Sequence, residues 1–319
     1  MNYWVWKEGI FLQNNKEIGC VIVTFNRLEK LKKALEAYAK QEVTPAYIIV
    51  VNNASTDGTY EFLENWKQKE SEEERCVLNL EKNVGGSGGF YAGQKMAMEK
   101  SAEWIMVADD DGYPEPNYIQ GIKNYIENHD CDNVAVLCGS LWQNGSNINY
   151  HRTVYLKYFA DNAMVKPAKI EDLKVVNDLY SIDQSSYVGA VIKKTAMKNV
   201  GLCNKEFFIW YDDFEHMYRL GKQGIIGYLP KYKIIHDESK VNSILSWKNY
   251  YGVRNKFYFL KNNFYISYLL SAIIFLLKTF LLPLKGRKLK EIYIRIIALY
   301  DASRGLLGVH NTYKPGWKP

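Results

Sequence analysis

Trp104-Ile105-Met106-Val107-Ala108-Asp109-Asp110-Asp111-Gly112 is a short apolar run that ends in three consecutive carboxylates and a glycine. Such a run, bounded by turn residues, reads as a buried strand. A strand that stops in an acidic triplet puts fixed negative charge at the carboxyl edge of a sheet, where open α/β sheets bind ligands. Alternate residues of an extended segment point the same way, so Asp109 and Asp111 are expected to face one cation while Asp110 turns aside. Hard divalent cations take carboxylate oxygens, commonly together with substrate phosphates. Taken alone, the triplet fits an acidic strand-to-loop turn equally well, because Asp and Gly are ordinary turn residues.

The residues upstream supply a sheet for that strand. Ile18 to Thr24 is a β-branched run that reads as a buried strand, and Arg27 to Gln41 follows with Leu28, Leu31, Leu35 and Tyr38 at helical spacing. A second strand is expected at Tyr47 to Asn52, then a turn-rich segment (Asn53 to Gly58) and a helix to about Lys69. After a charged loop, Cys76 to Leu80 reads as a third strand, and the glycine-rich Asn83 to Gly89 opens a helix to about Lys100. Strands alternating with helices imply right-handed crossovers and a mostly parallel sheet flanked by helices, with every strand-to-helix loop at one edge. Downstream, a helix is expected near Asn117–Asn128, strands near Val134–Leu141 and Tyr187–Lys193, and a helix from about Asp212, while residues 143 to 180 are polar and irregular.

Composition bounds the function. The chain has 319 residues and a hydrophobic fraction of 47%, enough for one enlarged α/β domain with a tail. Its five cysteines are odd in number and form no CxxC pair, and the start Met1-Asn2-Tyr3-Trp4 lacks the basic-then-apolar pattern of a secretory leader. Reduced thiols and a cytoplasmic location are expected. The net charge of +6 is uneven: residues 240 to 319 carry 14 Lys/Arg against 2 Asp/Glu, and the first 239 residues carry 27 against 33. An acidic body, 1–239, is therefore expected to end in a basic helical region, 240–319. Phe264 to Leu284 is apolar except for Ser267, Ser271, Lys278 and Thr279. Its uninterrupted part is short for a membrane span of about 20 residues. On a helix, Ser267, Ser271, Lys278 and Lys285 fall within about 40° of one another, a narrow polar seam. The cluster Lys285-Gly286-Arg287-Lys288-Leu289-Lys290 and an amphipathic stretch from Ile292 to Tyr300 follow. This pattern fits helices lying in an anionic membrane interface, or a helical pair packed on the domain or on a second copy of the chain. Nucleic acid is not expected as a partner, since aliphatic and aromatic residues outnumber phosphate-reading groups.

Four segments in order resemble the family 2 glycosyltransferases of the GT-A fold: Val21-Ile22-Val23-Thr24-Phe25-Asn26-Arg27, Val50 to Thr59, Asn83 to Phe90, and Asp109-Asp110-Asp111. The likeness runs from about Ile18 to Asp237 and leans to the bacterial galactofuranosyl- and rhamnosyltransferase branch. Fainter echoes follow at Tyr250-Tyr251-Gly252-Val253-Arg254-Asn255 and Tyr300-Asp301-Ala302-Ser303-Arg304-Gly305. The resemblance implies a Rossmann-like GT-A domain that takes a UDP- or dTDP-sugar with Mn2+ or Mg2+ and passes the sugar to a glycan or lipid-linked saccharide. It implies donor-binding roles for Thr24, Arg27, Asn53, Asp57, Asn83, Gly86, Asp109 and Asp110. Local chemistry agrees at several of these positions. Arg27 suits a diphosphate, and the glycines before a helix let backbone amides approach one. Asp57 suits a pyrimidine ring, although an Asx-turn before Gly58 is its ordinary reading.

Phe208 to His216 holds a second acidic element, Asp212-Asp213. Neighbouring helical residues diverge by about 100°, so one is expected to cap the helix while the other faces the site. Galactofuranosyltransferases carry Trp-Asp-Asp with the second aspartate as catalytic base. Here Tyr211 interrupts Trp210 and the pair, and the resemblance points to Asp213, with Asp212 beside it. His236 matches the histidine that completes a metal site with Asp109 and Asp111, with His216 as the fallback ligand. Tyr187 and Trp210 are expected to stack on acceptor sugars or to lie in the core. The implied reaction is an inverting, metal-dependent transfer for capsule, O-antigen or cell-wall polymers at the inner membrane face. UDP-galactofuranose is the first donor and dTDP-rhamnose the second. A nucleotidyltransferase is disfavoured because Thr24-Phe25-Asn26-Arg27 is not a glycine-rich basic loop. The intact acidic elements argue against a catalytically silent membrane scaffold.

Overall fold

The computed structural model describes residues 17–155, 165–237, 245–282 and 289–317. Its first half alternates as the sequence predicts: β1 (Ile18–Thr24), α1 (Leu28–Ala39), β2 (Tyr47–Asn52), α2 (Thr59–Gln68), β3 (Glu74–Asn79), α3 (Gly85–Ala97) and β4 (Trp104–Asp109). Every residue of β1 and β2 is buried, as strands covered by helices on both faces require. Helix α1 buries Leu31, Ala34, Leu35 and Tyr38 along one stripe. The order β3-β2-β1-β4 is wholly parallel. Its register sets Thr24 opposite Asn52 and Val23 opposite Asp109, so the carboxyl ends of β1, β2 and β4 finish level.

The second half comprises β5 (Gly112–Pro114), α4 (Tyr118–Asn128), β6 (Val134–Gln143), β7 (Ser146–Asn147), β8 (Arg152–Tyr155), β9 (Val165–Pro167), β10 (Lys174–Val176), β11 (Leu179–Ile182), β12 (Gln184–Ser185), β13 (Ala190–Lys193), α5 (Lys194–Val200), α6 (Asp212–Leu220) and β14 (Ile225–His236). The expectation of a mostly parallel sheet holds for the first four strands and for the later pair β6 and β14. Strand β13 inserts antiparallel between β4 and β6, and β11, β10, β5 and β7 also pair antiparallel, so the sheet is mixed. The reason is topological: among the described residues between β6 and β13 the chain makes no α-helical crossover but an excursion through short strands, three of which (β12-β8-β9) form a small separate sheet. Much of that excursion is the polar stretch in which periodicity gave no assignment.

Strand β14 does the most to build the site. It pairs parallel with β6, slips register between Leu229 and Lys233 around Pro230, and ends antiparallel to β5 with His236 opposite Gly112. A proline lacks the ladder donor, so a slip there is expected. The pairing carries His236 to the acidic triplet, more than a hundred residues away in sequence.

Three helices follow: α7 (Lys248–Asn263), α8 (Tyr265–Phe280) and α9 (Leu289–Arg304). The expected division at 239/240 falls outside the described residues, as does Lys285–Lys288 of the basic cluster. The helices beyond it share a core with the preceding domain. Phe208 packs with Tyr250, Tyr251, Ile294 and Ala298, and Tyr211, Phe214 and Tyr218 pack against Phe257, Phe259 and Leu299. Of the expected polar seam on α8, Ser267 is buried, Ser271 half-buried and Lys278 exposed; Thr279 beside it is buried, whereas Ile266, Leu270, Ile273, Leu277 and Phe280 are each at least half exposed. Among the described residues, no helix is long and apolar enough to cross a membrane.

Candidate active site

The level carboxyl ends of β1, β2 and β4 open into a cavity of about 830 Å³ that β14, α6 and α7 help to close. Its size is that of a small-molecule site. On one wall stands the acidic triplet. Strand β4 stops at Asp109, and Asp110 and Asp111 lie in the turn beyond it, so strand alternation no longer governs their directions. Asp110 therefore does not turn away from Asp111. Arg27 Nη1 lies 2.9 Å from Asp110 Oδ1 and 2.7 Å from Asp111 Oδ2. Thr24 Oγ1 donates to Asp110 Oδ2 at 2.7 Å, and Lys30 Nζ is 3.5 Å from Asp111 Oδ2. His236 Nε2 approaches Asp111 Oδ1 at 3.5 Å.

These contacts sort the three carboxyl groups. Burial pushes Asp109 well above the usual carboxylate range, and the charges of Asp111 and Asp110 push it further. Burial also raises Asp110, to about 6, against the pull of Arg27 and Thr24. Asp111 is buried too, but His236, Arg27 and Lys30 hold it below its ordinary value. His151 stands beside this wall with its ring edge-on to His236 at 5.2 Å; burial, then His236, push its imidazole down to about 3. Sequence reasoning missed His151 because it sits in the aperiodic stretch 143–180, with no spacing that sets it apart.

The second wall is the start of α3. Asn53 Nδ2 donates to Gly85 O at 2.9 Å and to Asn83 Oδ1 at 3.2 Å, while Asn53 Oδ1 accepts from the Val84 amide at 2.9 Å. Asn83 Oδ1 also accepts from the Gly85 amide at 2.8 Å. Both asparagines brace the glycine loop from the cavity edge. The glycines divide by role. A Cβ on Gly85 (φ +77°) would meet Phe208 O at 1.9 Å, and one on Gly89 would meet Val23 Cγ1 at 2.6 Å, so these two admit protein neighbours. Gly86 faces open space and lines the cavity. Asp57 lies outside the lining. Its carboxylate accepts from the Leu28 amide (3.0 Å), the Thr59 amide (3.3 Å) and the Thr59 hydroxyl (2.5 Å), the work of a turn and helix start.

The third wall is the segment 208–214. Phe208, Trp210 and Tyr211 all have left-handed φ, at 66°, 63° and 72°, a conformation that costs bulky residues free energy. Helix α6 then begins with Asp212, buried, and Asp213, half-buried, both on the cavity. Asp213 Oδ1 accepts from the Phe214 amide at 2.7 Å. Burial raises both carboxyl groups; for Asp212 the charge of Asp213 adds to this, bringing it to about 7. Trp210 is 41% exposed at the mouth, with Lys248 Nζ 6.0 Å from its ring, and presents a face on which a sugar can stack. Tyr187 is 3% exposed, and its hydroxyl contacts Nδ1 of His216 and accepts from Gln94 Nε2 at 3.3 Å. It belongs to the cavity floor more than to an open platform. His216 is corrected as a fallback ligand: it is fully buried off the cavity, and its Nε2 faces Gly201 O at 3.0 Å. The C-terminal helices also line the cavity, through Trp247, Lys248 and Gly252.

Among the described residues, no three His, Cys, Asp or Glu side chains are arranged as a ready metal site. The donor chemistry of Asp109, Asp111 and His236 still suits a divalent cation. Asp111 and His236 already touch, and Asp109 is raised by burial and then by the charges of Asp111 and Asp110, which a cation would offset. At present the Arg27 guanidinium holds the Asp111 oxygen.

Comparison with known proteins agrees with this geometry. The sequence profile described as Glycosyl transferase family 2 matches residues 20–183. The dTDP-rhamnosyl transferase RfbF of Shigella flexneri is 27% identical over 311 residues, covering 92% of this chain and 98% of that protein. The galactofuranosyltransferase GlfT1 of Mycolicibacterium smegmatis is 35% identical over 99 residues, 31% of each chain. Among solved structures, S. aureus TarS 1–349 in complex with UDP-GlcNAc superposes with a TM-score of 0.58 at 18% identity, covering 91% of this chain and 81% of that one. GalNAc-T7 with UDP, GalNAc and Mn2+ gives 0.57 at 16% identity, covering 78% and 48%. At such identities the structural likeness speaks for the fold alone.

Proposed function

The chain belongs to glycosyl transferase family 2, and from that premise we propose that it is a metal-dependent, inverting glycosyltransferase whose base is Asp213. One observation carries this reading: the acidic triplet with Arg27 and His236, the open start of α3, and the Asp212–Asp213 pair face one another across a single cavity. Gly86 and the first amides of α3 would receive the diphosphate, with Arg27 as its counter-charge once the donor displaces it from Asp110 and Asp111. A divalent cation held by Asp109, Asp111 and His236 would neutralise the departing diphosphate. Asp213, raised by burial, would take the proton of the acceptor hydroxyl as that oxygen attacks the anomeric carbon, with the acceptor ring resting on Trp210. Asp57, on the rim, remains the proposed contact for the pyrimidine.

For the donor, the whole-length likeness to a dTDP-rhamnosyl transferase favours dTDP-rhamnose, reversing the preference drawn from motifs. UDP-galactofuranose stays as the second reading on the partial likeness to GlfT1. The acceptor is read as a saccharide of a bacterial surface polymer, presented on lipid. The outward aliphatic face of α8 supports seating the enzyme in the inner membrane surface, with the basic charge of residues 240 to 319 drawing it to anionic lipid. A thermal-shift screen of UDP- and dTDP-sugars with Mn2+ or excess chelator tests the reading, because a true donor stabilises the folded state by mass action. A shift for one nucleotide sugar, lost in chelator, supports it; no shift for any would refute it.

A further inference from the structure

The sequence Tyr250-Tyr251-Gly252-Val253-Arg254-Asn255 lies on α7, outside any role assigned so far, and two of its side chains are polar yet almost wholly buried: Arg254 is 1% exposed and Asn255 0%. Both spend their hydrogen bonds on the turn that precedes the acidic pair. Asn255 Nδ2 donates to Phe207 O at 3.0 Å, Ile209 O at 3.0 Å and Trp210 O at 2.8 Å. Arg254 Nη2 donates to Phe207 O at 3.0 Å and Glu206 O at 3.3 Å, while its Nε donates to Asn255 Oδ1 at 2.9 Å and so fixes the amide's orientation. Arg254 Nη1 reaches Gly308 O at 2.6 Å, and the Gly308 amide donates to Glu206 O at 2.7 Å.

That turn is the strained one, with Phe208, Trp210 and Tyr211 in the left-handed region. Such residues persist only where their surroundings over-determine them. One side is held by α3, where the Ser87 amide donates to Phe208 O at 3.2 Å beside Gly85. The other side is held chiefly by α7: its Arg254–Asn255 pair takes the carbonyls, and Gly252 leaves room for the Trp210 ring, which a Cβ there would meet at 3.0 Å. We propose that Arg254 and Asn255 are positioning residues, and that α7 is the template fixing the bearing of Trp210 and Asp213 in the cavity. This rests on the reading of Asp213 as base. It makes the C-terminal helices part of the catalytic apparatus and not only an attachment device.

The test compares Asn255→Ala in the full chain with Phe257→Leu, a buried change on the same helix whose ring packs against Tyr268 and Phe275 of α8. Backbone hydrogen exchange is read for peptides spanning 207–214, together with kcat, donor KM and the pH profile. For Asn255→Ala the expected result is exchange faster by about 10-fold at 207–214, with β1 to β4 unchanged. A kcat lower by about 100-fold, with donor KM within about threefold, should accompany it. Phe257→Leu should leave both unaltered. If Asn255→Ala fails to fold, Arg254→Lys replaces it, keeping the charge and losing the fork to two carbonyls. Unchanged exchange at 207–214, or a loss of kcat that merely tracks the folded fraction, overturns the proposal. A fully active Asp213→Asn would remove the base assignment while leaving the exchange result standing, so the two failures are distinguishable.

Discussion

Arg27 Nη1 lies 2.7 Å from Asp111 Oδ2, so the oxygen a metal ion would claim is held by a guanidinium from the first loop. The side chain of Arg27 is 44% exposed while that of Asp111 is 7%, which leaves the arginine free to swing to an arriving diphosphate. Replacing it leaves buried carboxylates undercompensated. Arg27→Met should lower stability at neutral pH by about 1–2 kcal/mol, the figure for a buried pair discounted for exposure. Donor KM should rise by about 10-fold or more for the lost bidentate contact. Calorimetry and initial rates check both; unchanged KM would remove Arg27 from the donor site.

Gly85 and Gly86 are neighbours with opposite sensitivities. Gly85→Ala sets a Cβ at φ +77° against Phe208 O, 1.9 Å away. It should destabilise the fold by about 1–3 kcal/mol and drop kcat through the displaced turn. Gly86→Ala adds a methyl group where nothing lies within 4 Å. It should change stability by less than about 0.5 kcal/mol while raising donor KM. A denaturant melt with steady-state kinetics on both variants separates the two effects.

The Asp212 carboxyl, raised to about 7 by burial and by Asp213, gives a signed pH dependence. A group whose folded value exceeds its unfolded one contributes stability that is complete below the unfolded value, near 4, and is lost as pH rises through about 7. Asp213, Ser87, Tyr187 and Cys203 interact with it, and Asp212→Asn removes its charge while keeping its shape. The melting temperature of Asp212→Asn should therefore gain on wild type from pH 5 to pH 8, read by calorimetry at matched ionic strength. Parallel curves would show that Asp212 stays ionised throughout.

Ile273 and Leu277 of α8 are 57% and 61% exposed. Ile273→Glu with Leu277→Glu should leave the melting temperature close to wild type and reduce co-sedimentation with anionic vesicles by about 10-fold. Retained vesicle binding would show that another surface carries attachment.

Much of the donor side was legible in the sequence. β1 and β2 were found to the residue because parallel strands buried on both faces are continuous β-branched runs. The acidic triplet was found because its charge interrupts such a run. What escaped depends on long-range placement. The antiparallel β13, in the middle of the sheet, carries no local mark that distinguishes it from a parallel strand. His151 reaches the cavity only through the small sheet, and the direction of Asp110 depends on where β4 stops. The sequence pattern left α8 between a membrane interface and packing on the protein, and its orientation depends on tertiary placement: Ser267 and Thr279 are buried, Thr279 Oγ1 donating to Phe275 O at 2.7 Å, and its aliphatic face points out.

The most direct test of the account is donor turnover by Asp213→Asn. With the nucleotide sugar that most raises the melting temperature, wild type and variant are compared at equal donor occupancy, with Mn2+, by release of the nucleoside diphosphate. The account predicts unchanged donor affinity and a turnover lower by about 100- to 10,000-fold in the variant. Wild-type turnover by Asp213→Asn at that same affinity would contradict it.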